Sequence, residues 1–344
     1  MQKTSMKTTG TALLLSALLA VSAALSACTA APASSDPAPS PTAQPFSQEE
    51  SAGSGKVTFT DDLDREVTLE SWDTVVSLYG SFAETWELAG GELAGVTEDA
   101  VEERHMDLGE GVETIGSVKS PNLEAILALD PDFVILSADV ATQVDLEPAL
   151  QESGVPYAYF QVDTFDQYLS MLELFCSMTG RDDLYEQNGL RVQQQIADIT
   201  ALTKKEEPVT GLLIRAFSTG AKAKGADNLA GVIMEDLGVD NIVARHDSLL
   251  EDLSIEEIIE EDPDYIFVTT MGKESAALEA LESGIMANPA WEGLTAVKND
   301  RVEVLPKDLF HYKPNARWGE SYGYLAKILY PGLAEEIDDI LAQE

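Results

Sequence analysis

NLEAILALDPDFVIL, residues 122–136, aligns without a gap onto SIEEIIEEDPDYIFV, residues 254–268. Each copy opens on a residue that caps helices well, Asn122 or Ser254, and continues with apolar positions at helical spacing. Each then reaches an Asp-Pro-Asp turn, where proline cannot continue a helix, and enters an apolar run that reads as a buried strand. A glutamate, Glu124 or Glu256, stands at the same place in both. The copies lie 132 positions apart, far beyond the about 20–50 residues of solenoid repeats. Asp-Pro-Asp before an apolar strand is common in α/β proteins, but the whole unit written twice points to two similar lobes.

Upstream of the first copy, residues 57–60 alternate as a strand does, and 66–69 follow an Asp-rich turn, which predicts a small opening hairpin. An apolar run at 74–78 leads through Tyr79-Gly80-Ser81 into a helical pattern that includes Trp86 and Leu88. Gly90-Gly91 closes it, and 94–96 is the next strand. Strand, helix, strand at this spacing is a βαβ unit, hence a parallel sheet covered by helices. Between the copies, apolar residues recur at helical spacing from Leu169 to Ile199, broken near Thr179-Gly180-Arg181. They predict a helix, a short break and a long helix joining the lobes. Beyond it come a strand at 211–217, a loop at 219–225, a helix at 228–237, the second copy, a helix at 278–281, a strand at 302–305 and a helix at 322–329. The predicted fold is α/β: two Rossmann-like lobes, 56–165 and 206–344, each with a central, mostly parallel sheet, joined by one long α-helix within 166–205.

The 344 residues carry 61 Asp+Glu against 21 Lys+Arg, a formal charge of −40. Such acidity argues against nucleic-acid binding and against holding anionic lipid by charge alone, since both need clustered cations. At the N-terminus, Lys3 and Lys7 precede an apolar run at 11–25 that is too short to span a membrane and ends in small residues at Cys28. Residues 1–27 read as a secretory signal. The tetrad 25–28 looks like a bacterial lipobox, in which Cys28 is acylated and becomes the mature N-terminus; the alternative is ordinary cleavage that leaves a free thiol. Residues 28–55, rich in Ala, Pro, Ser and Thr, read as a disordered tether. Cys176 falls inside an apolar helical pattern and reads as an inert core residue.

No catalytic set stands up: the chain lacks a Gly-x-Ser-x-Gly elbow, a phosphate-cradling loop and a His-Glu-x-x-His pair. The three histidines, His105, His246 and His311, are scattered. The few cations are not. Lys222 and Lys224 lie just after a strand that carries Arg215, and Lys313 and Arg317 lie in FHYKPNARW, residues 310–318, beside His311, Tyr312 and Trp318. Loops at the carboxyl ends of parallel strands are where open α/β sheets bind ligands. Cations mixed with aromatic rings there suit an anionic, partly apolar ligand. Each charge taken singly could equally be a solvated surface group. Tyr79, Ser81 and Phe82 would face these loops from the first lobe, with Arg104 and His105 nearby.

The chain resembles the substrate-binding lipoproteins of bacterial ABC importers for iron–siderophore, haem and cobalamin complexes, the class III periplasmic binding proteins with a helical backbone. The likeness rests on 60–68 (TDDLDREVT), 75–78 (VVSL), Asn122-Leu123-Glu124 with its Asp-Pro-Asp, 288–291 (NPAW) and 296–302 (AVKNDRV). Asp64 departs from it, standing where most members have glycine. The resemblance implies two lobes clasping a ligand, with Glu124 and Glu256 docking on an ABC permease driven by a cytoplasmic ATPase. It further implies a monomer on the extracytoplasmic face of a bacterial membrane, held by its lipid anchor. The ligand would be an iron chelate, a ferric siderophore or haem, with no resident cofactor or metal site. Cobalamin is the nearest rival; molybdate and a surface-anchored hydrolase are more distant ones.

Overall fold

In the computed structural model, which describes residues 55–343 other than Asp247 and Asp252, the alternating stretches at the start pair as an antiparallel hairpin. Its strands are β1 (Val57–Thr60) and β2 (Glu66–Leu69), with Phe59, Val67 and Leu69 turned inward. The expected signal, Cys28 and all but the last residue of the tether lie outside the described residues. Asp64, in the turn, has φ 58°. That left-handed conformation is why glycine is favoured there, and Asp is among the few side chains that tolerate it. Asp61 gathers the turn: its carboxylate accepts from the Leu63 and Arg65 amides, the Arg65 guanidinium and the Tyr159 amide. Arg65 in turn lies over the rings of Tyr157 and Tyr159, at 4.3 and 4.6 Å. The Asp-rich motif is therefore a clasp between hairpin and sheet.

The first sheet is built from β3 (Val75–Ser77), β4 (Gly95–Val96), β5 (Glu113–Thr114), β6 (Phe133–Ser137) and β7 (Tyr157–Phe160). Its order is β5-β4-β3-β6-β7 and every pair is parallel. Helix α1 (Gly80–Leu88) follows β3, and α2 (Leu123–Ala128) feeds β6. All residues of β3, β6 and β7 are buried, as in a parallel sheet covered on both faces.

Helix α3 (Phe165–Thr179) starts in a capping box made by Thr164 and Gln167 and stops at Gly180, φ 70°. After that break the chain is helical again from 182 to 203: a first turn, a π-type stretch at Glu186–Leu190, then α4 (Arg191–Thr203). Asn188 in the π stretch donates to the Leu88 carbonyl and accepts, through its own carbonyl, from the Tyr168 hydroxyl. Those bonds lash the connection to the first half. Burial pushes the Cys176 thiol on α3 up to about 11, so it is protonated and unreactive at neutral pH.

The second sheet comprises β8 (Val209–Phe217), β9 (Gly220–Lys224), β10 (Val239–Asn241), β11 (Tyr265–Thr270) and β12 (Val302–Val304). Helix α5 (Leu229–Asp236) precedes β10, α6 (Ile255–Glu261) feeds β11, α7 (Glu274–Ser283) follows β11, and α8 (Trp318–Leu329) packs on α4. The order is β9-β8-β11-β12, with β10 sharing the β8 edge, and only the β8–β9 pair is antiparallel. Residues 219–225, predicted as a loop, thus contain the returning strand of a hairpin. The alternation that marks β9 sets small Ala221 and Ala223 against Lys222 and Lys224, a pattern with too little apolar bulk to read as a strand.

The repeated unit is repeated in its bonds as well. Asp130 and Asp262 both sit at positive φ, 49° and 43°, turning the chain out of α2 and α6. The second aspartate of each turn reaches sideways to the start of the neighbouring strand. Asp132 accepts from the Thr74 and Asp73 amides at 3.0 and 3.2 Å and from Ser71 Oγ at 2.7 Å. Asp264 accepts from the Thr210 amide at 3.0 Å and from Thr210 Oγ1 at 2.9 Å. These bonds set the register of β3 on β6 and of β8 on β11, where Val75 faces Phe133 and Gly211 faces Tyr265. Asp132→Ala and Asp264→Ala should each lower the unfolding free energy by about 1–3 kcal/mol, since amides lose a carboxylate acceptor. Urea titration of both variants measures this, and an unchanged midpoint in both would mean that register is set elsewhere.

Candidate functional site

Parallel strands release the chain at one edge, so the loops after β3, β4, β6 and β7 form one wall and those after β8, β11 and β12 another. On the first wall, Tyr79 follows β3 and caps α1 in extended conformation. The Gly80 amide donates to Asp99 Oδ2 at 2.7 Å, and Thr97 donates to the other oxygen of the same carboxylate. A Cβ on Gly80 would stand 2.7 Å from the Ala100 amide, so only glycine allows α1 to start this close to the β4 loop. Buried Gln143 ties the strand ends together, accepting from the Ser137 amide and donating to the carbonyls of Leu78 and Val118. Asp139 and Asp163 stand just beyond β6 and β7.

On the second wall, Arg215 and Lys222 are direct cross-strand partners in the β8–β9 ladder, with side chains on the same face. Two like charges so placed repel each other. Lys222 is exposed and has no ion pair among the described residues, and the buried Nε of Arg215 has no hydrogen-bond partner among them. Beyond β12, Lys307 donates to the Gly272 carbonyl and lies 5.0 Å from the ring centre of Tyr312. The rings of His311 and Tyr312 are 5.3 Å apart.

Among the described residues, Lys313 Nζ meets Asp163 Oδ1 across the seam at 2.8 Å, and Asn315 donates across it to the Ser81 carbonyl at 2.8 Å and to the Glu84 carboxylate. The walls therefore carry opposite signs, acidic on the first and basic on the second. Burial would raise Asp163, but Lys313, Gln161 and Arg215 bring it below the usual carboxylate range. Burial, with the charge of Asp163, raises Asp139; burial, with the charge of Asp99, raises Glu103. Burial lowers Arg215 despite the nearby charges of Asp227 and Asp163. His311 is lowered to about 4 by burial and by Arg215, Lys307 and Lys313, so it is neutral at pH 7.

Of the residues singled out from sequence, the structure brings Tyr79, Ser81, Arg215, Lys222, His311, Tyr312 and Lys313 to this seam. Others go elsewhere. Phe82 is buried in the core between Tyr79 and Phe160. Trp318 is fully buried with its ring edge-on to Phe165. Arg317 is exposed and already held by Asp308 and Glu320, at 2.8 Å each. Lys224 pairs with Asp227 at 3.3 Å, and Arg104 is spent on Glu84. His105 is exposed at φ 54° in the turn after Arg104. These polar positions were drawn in by their neighbours in sequence, and pairing with nearby carboxylates or turning outward removes them. Sequence reading missed Glu103, Asp139, Asp163, Lys307 and Asn315, each of which follows a strand's carboxyl end. In so acidic a chain only that placement could have flagged the carboxylates. A depression of about 290 Å³ lined by Met286, Trp291 and Val302 lies at the opposite, amino end of β12.

Glu124 and Glu256 are exposed in the first turns of α2 and α6. Asn122 caps the first helix by accepting from the Glu124 and Ala125 amides; Ser254 caps the second by accepting from the Glu257 amide. Each helix runs back toward the start of the strand it feeds, so both glutamates stand at the edge of their sheets that carries the seam.

A family model described as periplasmic binding protein matches residues 75–309. The petrobactin-binding protein YclQ of Bacillus subtilis is 28% identical over 203 residues, 56% of this chain and 60% of that one. The Fe(3+)-citrate-binding protein YfmC of the same organism is 24% identical over 272 residues, 76% and 84% of the two chains. Among solved structures, Staphylococcus aureus IsdE complexed with heme superposes with a TM-score of 0.63 at 16% identity, covering 76% of this chain and 99% of that one. That last likeness concerns the fold.

The depressed His311 makes the seam sensitive to acid. The native state keeps it neutral down to about pH 4, whereas the unfolded chain protonates it near its ordinary value of 6.5. Its contribution to stability is therefore complete above pH 6.5 and lost as pH falls toward 4. His311→Gln should flatten the decline in stability across that window relative to wild type, as read from denaturation midpoints at about pH 7, 6, 5 and 4. Parallel pH profiles for the two proteins would refute the assignment.

Proposed function

The chain belongs to the periplasmic binding protein family, and from that premise we propose that it captures an anionic ferric chelate outside the cell membrane and hands it to an ABC permease. The protein is a binding protein, not an enzyme. One observation carries the choice of ligand: Arg215 and Lys222 are opposed in one ladder and neither forms an ion pair among the described residues, an arrangement that a bound anion would relieve. His311 and Tyr312 supply ring surface on the same wall. Haem and ferric siderophores both offer acidic groups next to planar or aromatic parts and fit this wall. Lys313, held by Asp163, joins the first and second walls rather than presenting a free charge.

The two lobes, 56–165 and 206–344, would shift slightly about the connection at 166–205 as ligand enters. Cys28 would carry the lipid that holds the protein, as a monomer, to the membrane; among the described residues no helix is long and apolar enough to cross one. Glu124 and Glu256, on matching helix ends at the seam edge, would meet basic residues of the permease, and the helix dipole favours a carboxylate at that place.

Ferric siderophores and haem, added at about 100 times their dissociation constant, should stabilise the protein by about 2.7 kcal/mol. Arg215→Ala should weaken binding by about ten- to a hundredfold, the worth of a charged hydrogen bond. A protein that no ferric chelate stabilises, or an Arg215→Ala variant with full affinity, would contradict this reading. In cells, Glu124→Arg with Glu256→Arg should abolish uptake without releasing the protein from the membrane fraction, whereas Cys28→Ser should release it. Normal uptake by the glutamate double variant would remove these residues from docking.

A further inference from the structure

Residues 311–314, which carry His311, Tyr312 and Lys313 to the basic wall, lead into a buried residue with an unusual backbone. Asn315 has φ 52°, in the left-handed region, and is 2% exposed. Pro314, also buried, precedes it, and the Pro314 carbonyl accepts from the Arg317 amide at 2.9 Å. The Asn315 side chain crosses the seam: Nδ2 donates to the Ser81 carbonyl at 2.8 Å and to Glu84 Oε2 at 2.5 Å, both on α1. The same Glu84 oxygen accepts from the guanidinium of Arg104, whose side chain is buried. Thr85 Oγ1 donates to the same Ser81 carbonyl at 2.9 Å. Both acceptors are therefore held by groups of the first half itself. Two requirements meet at this position. The backbone conformation favours Gly, Asn and Asp. The facing carbonyl and carboxylate require a donor, which the side chains of Gly and ionised Asp lack. Asn alone of the three satisfies both.

We propose that Asn315 is a positioning residue for the ligand: it pins the end of the 311–314 segment to α1, so that His311, Tyr312 and Lys313 stand at a set distance from the first wall before ligand arrives. The Lys313–Asp163 ion pair, two residues earlier, is a second pin on the same segment. A wall fixed at both places has less freedom to lose when ligand binds, which raises affinity without any contact between Asn315 and the ligand. This inference rests on the ligand reading above and adds to it a residue that sets affinity from behind the wall.

Asn315→Gly is the direct test, since glycine adopts φ 52° without strain and removes both bonds. The folded full chain is titrated by tryptophan fluorescence with ferric citrate, ferric enterobactin and haem. Affinity should fall by about tenfold for each probe that the wild-type protein binds, the scale of one or two hydrogen bonds. A role in stability alone would leave the affinity of the folded variant unchanged. Hydrogen exchange gives a readout that needs no ligand. The His311 and Tyr312 amides donate to the Lys307 carbonyl at 2.9 and 2.8 Å, and the Arg317 amide to that of Pro314. In Asn315→Gly these three should exchange about tenfold faster relative to the amides of β8 and β11. Asn315→Asp keeps the shape but sets a like charge against Glu84, and should bind more weakly still. Adding Glu84→Gln, whose amide can donate to the new carboxylate, should recover part of that loss. Wild-type affinity and unchanged relative exchange in Asn315→Gly would overturn the pin and leave the ferric-chelate reading standing. Affinity lost without faster exchange, or faster exchange without lost affinity, would overturn the positioning role. No recovery on adding Glu84→Gln would remove Glu84 from the pin. A wild-type protein that binds none of the three probes would overturn the ligand reading, and the exchange comparison would still decide whether Asn315 pins the wall.

Discussion

Asp132 and Asp264 each hold the first amides of a neighbouring parallel strand, and the placement of the seam-facing residues follows from those bonds. A parallel pair slipped by one residue turns all its side chains to the opposite face. With β3 pinned to β6, Tyr79 leaves the sheet where α1 can start against Asp99. With β8 pinned to β11, Arg215 faces the seam rather than the core occupied by Ile214 and Ala216. The same device, used once in each half, makes two sheets whose carboxyl edges can be set against each other.

The seam between those edges is electrostatically polarised even though the chain is acidic overall. Acidic groups spread over a surface are solvated and interact weakly, but burial together with the charge of Asp163 raises Asp139, and burial together with the charge of Asp99 raises Glu103. The scarce cations are divided between two kinds of work. Lys313, Arg104 and Arg317 are neutralised by carboxylates of the protein itself, whereas Arg215 and Lys222 oppose each other with no ion pair among the described residues. The first group holds structure together. His311, kept neutral by burial and by three cations, adds ring surface to the basic wall without adding to its charge.

Much of the architecture was legible along the chain. The opening hairpin, the βαβ start, both copies of the repeated unit and the helix–break–helix connection match the structure because each depends on signals within a few residues: side-chain periodicity, a cap, a proline, a glycine at positive φ. Strand β9 escaped because alternating alanine and lysine has no apolar bulk to announce a buried face. The site was less legible. Trp318 and Phe82 lie beside seam residues in sequence but point into the core, and Arg317, close to Lys313 along the chain, is consumed by Asp308 and Glu320.

The amino-acid order alone determined that the chain makes two related α/β units and where the cations of the second unit fall, since local propensity and turn chemistry need no distant partner. Which of those cations remain free, and that an acidic wall with Tyr79 stands opposite them, was decided only by folding. Lys313 and Asp163 are 150 positions apart, and Asn315 and Ser81 are 234 apart. Pairing over such distances is set by how the sheets pack, and no window of sequence contains both partners.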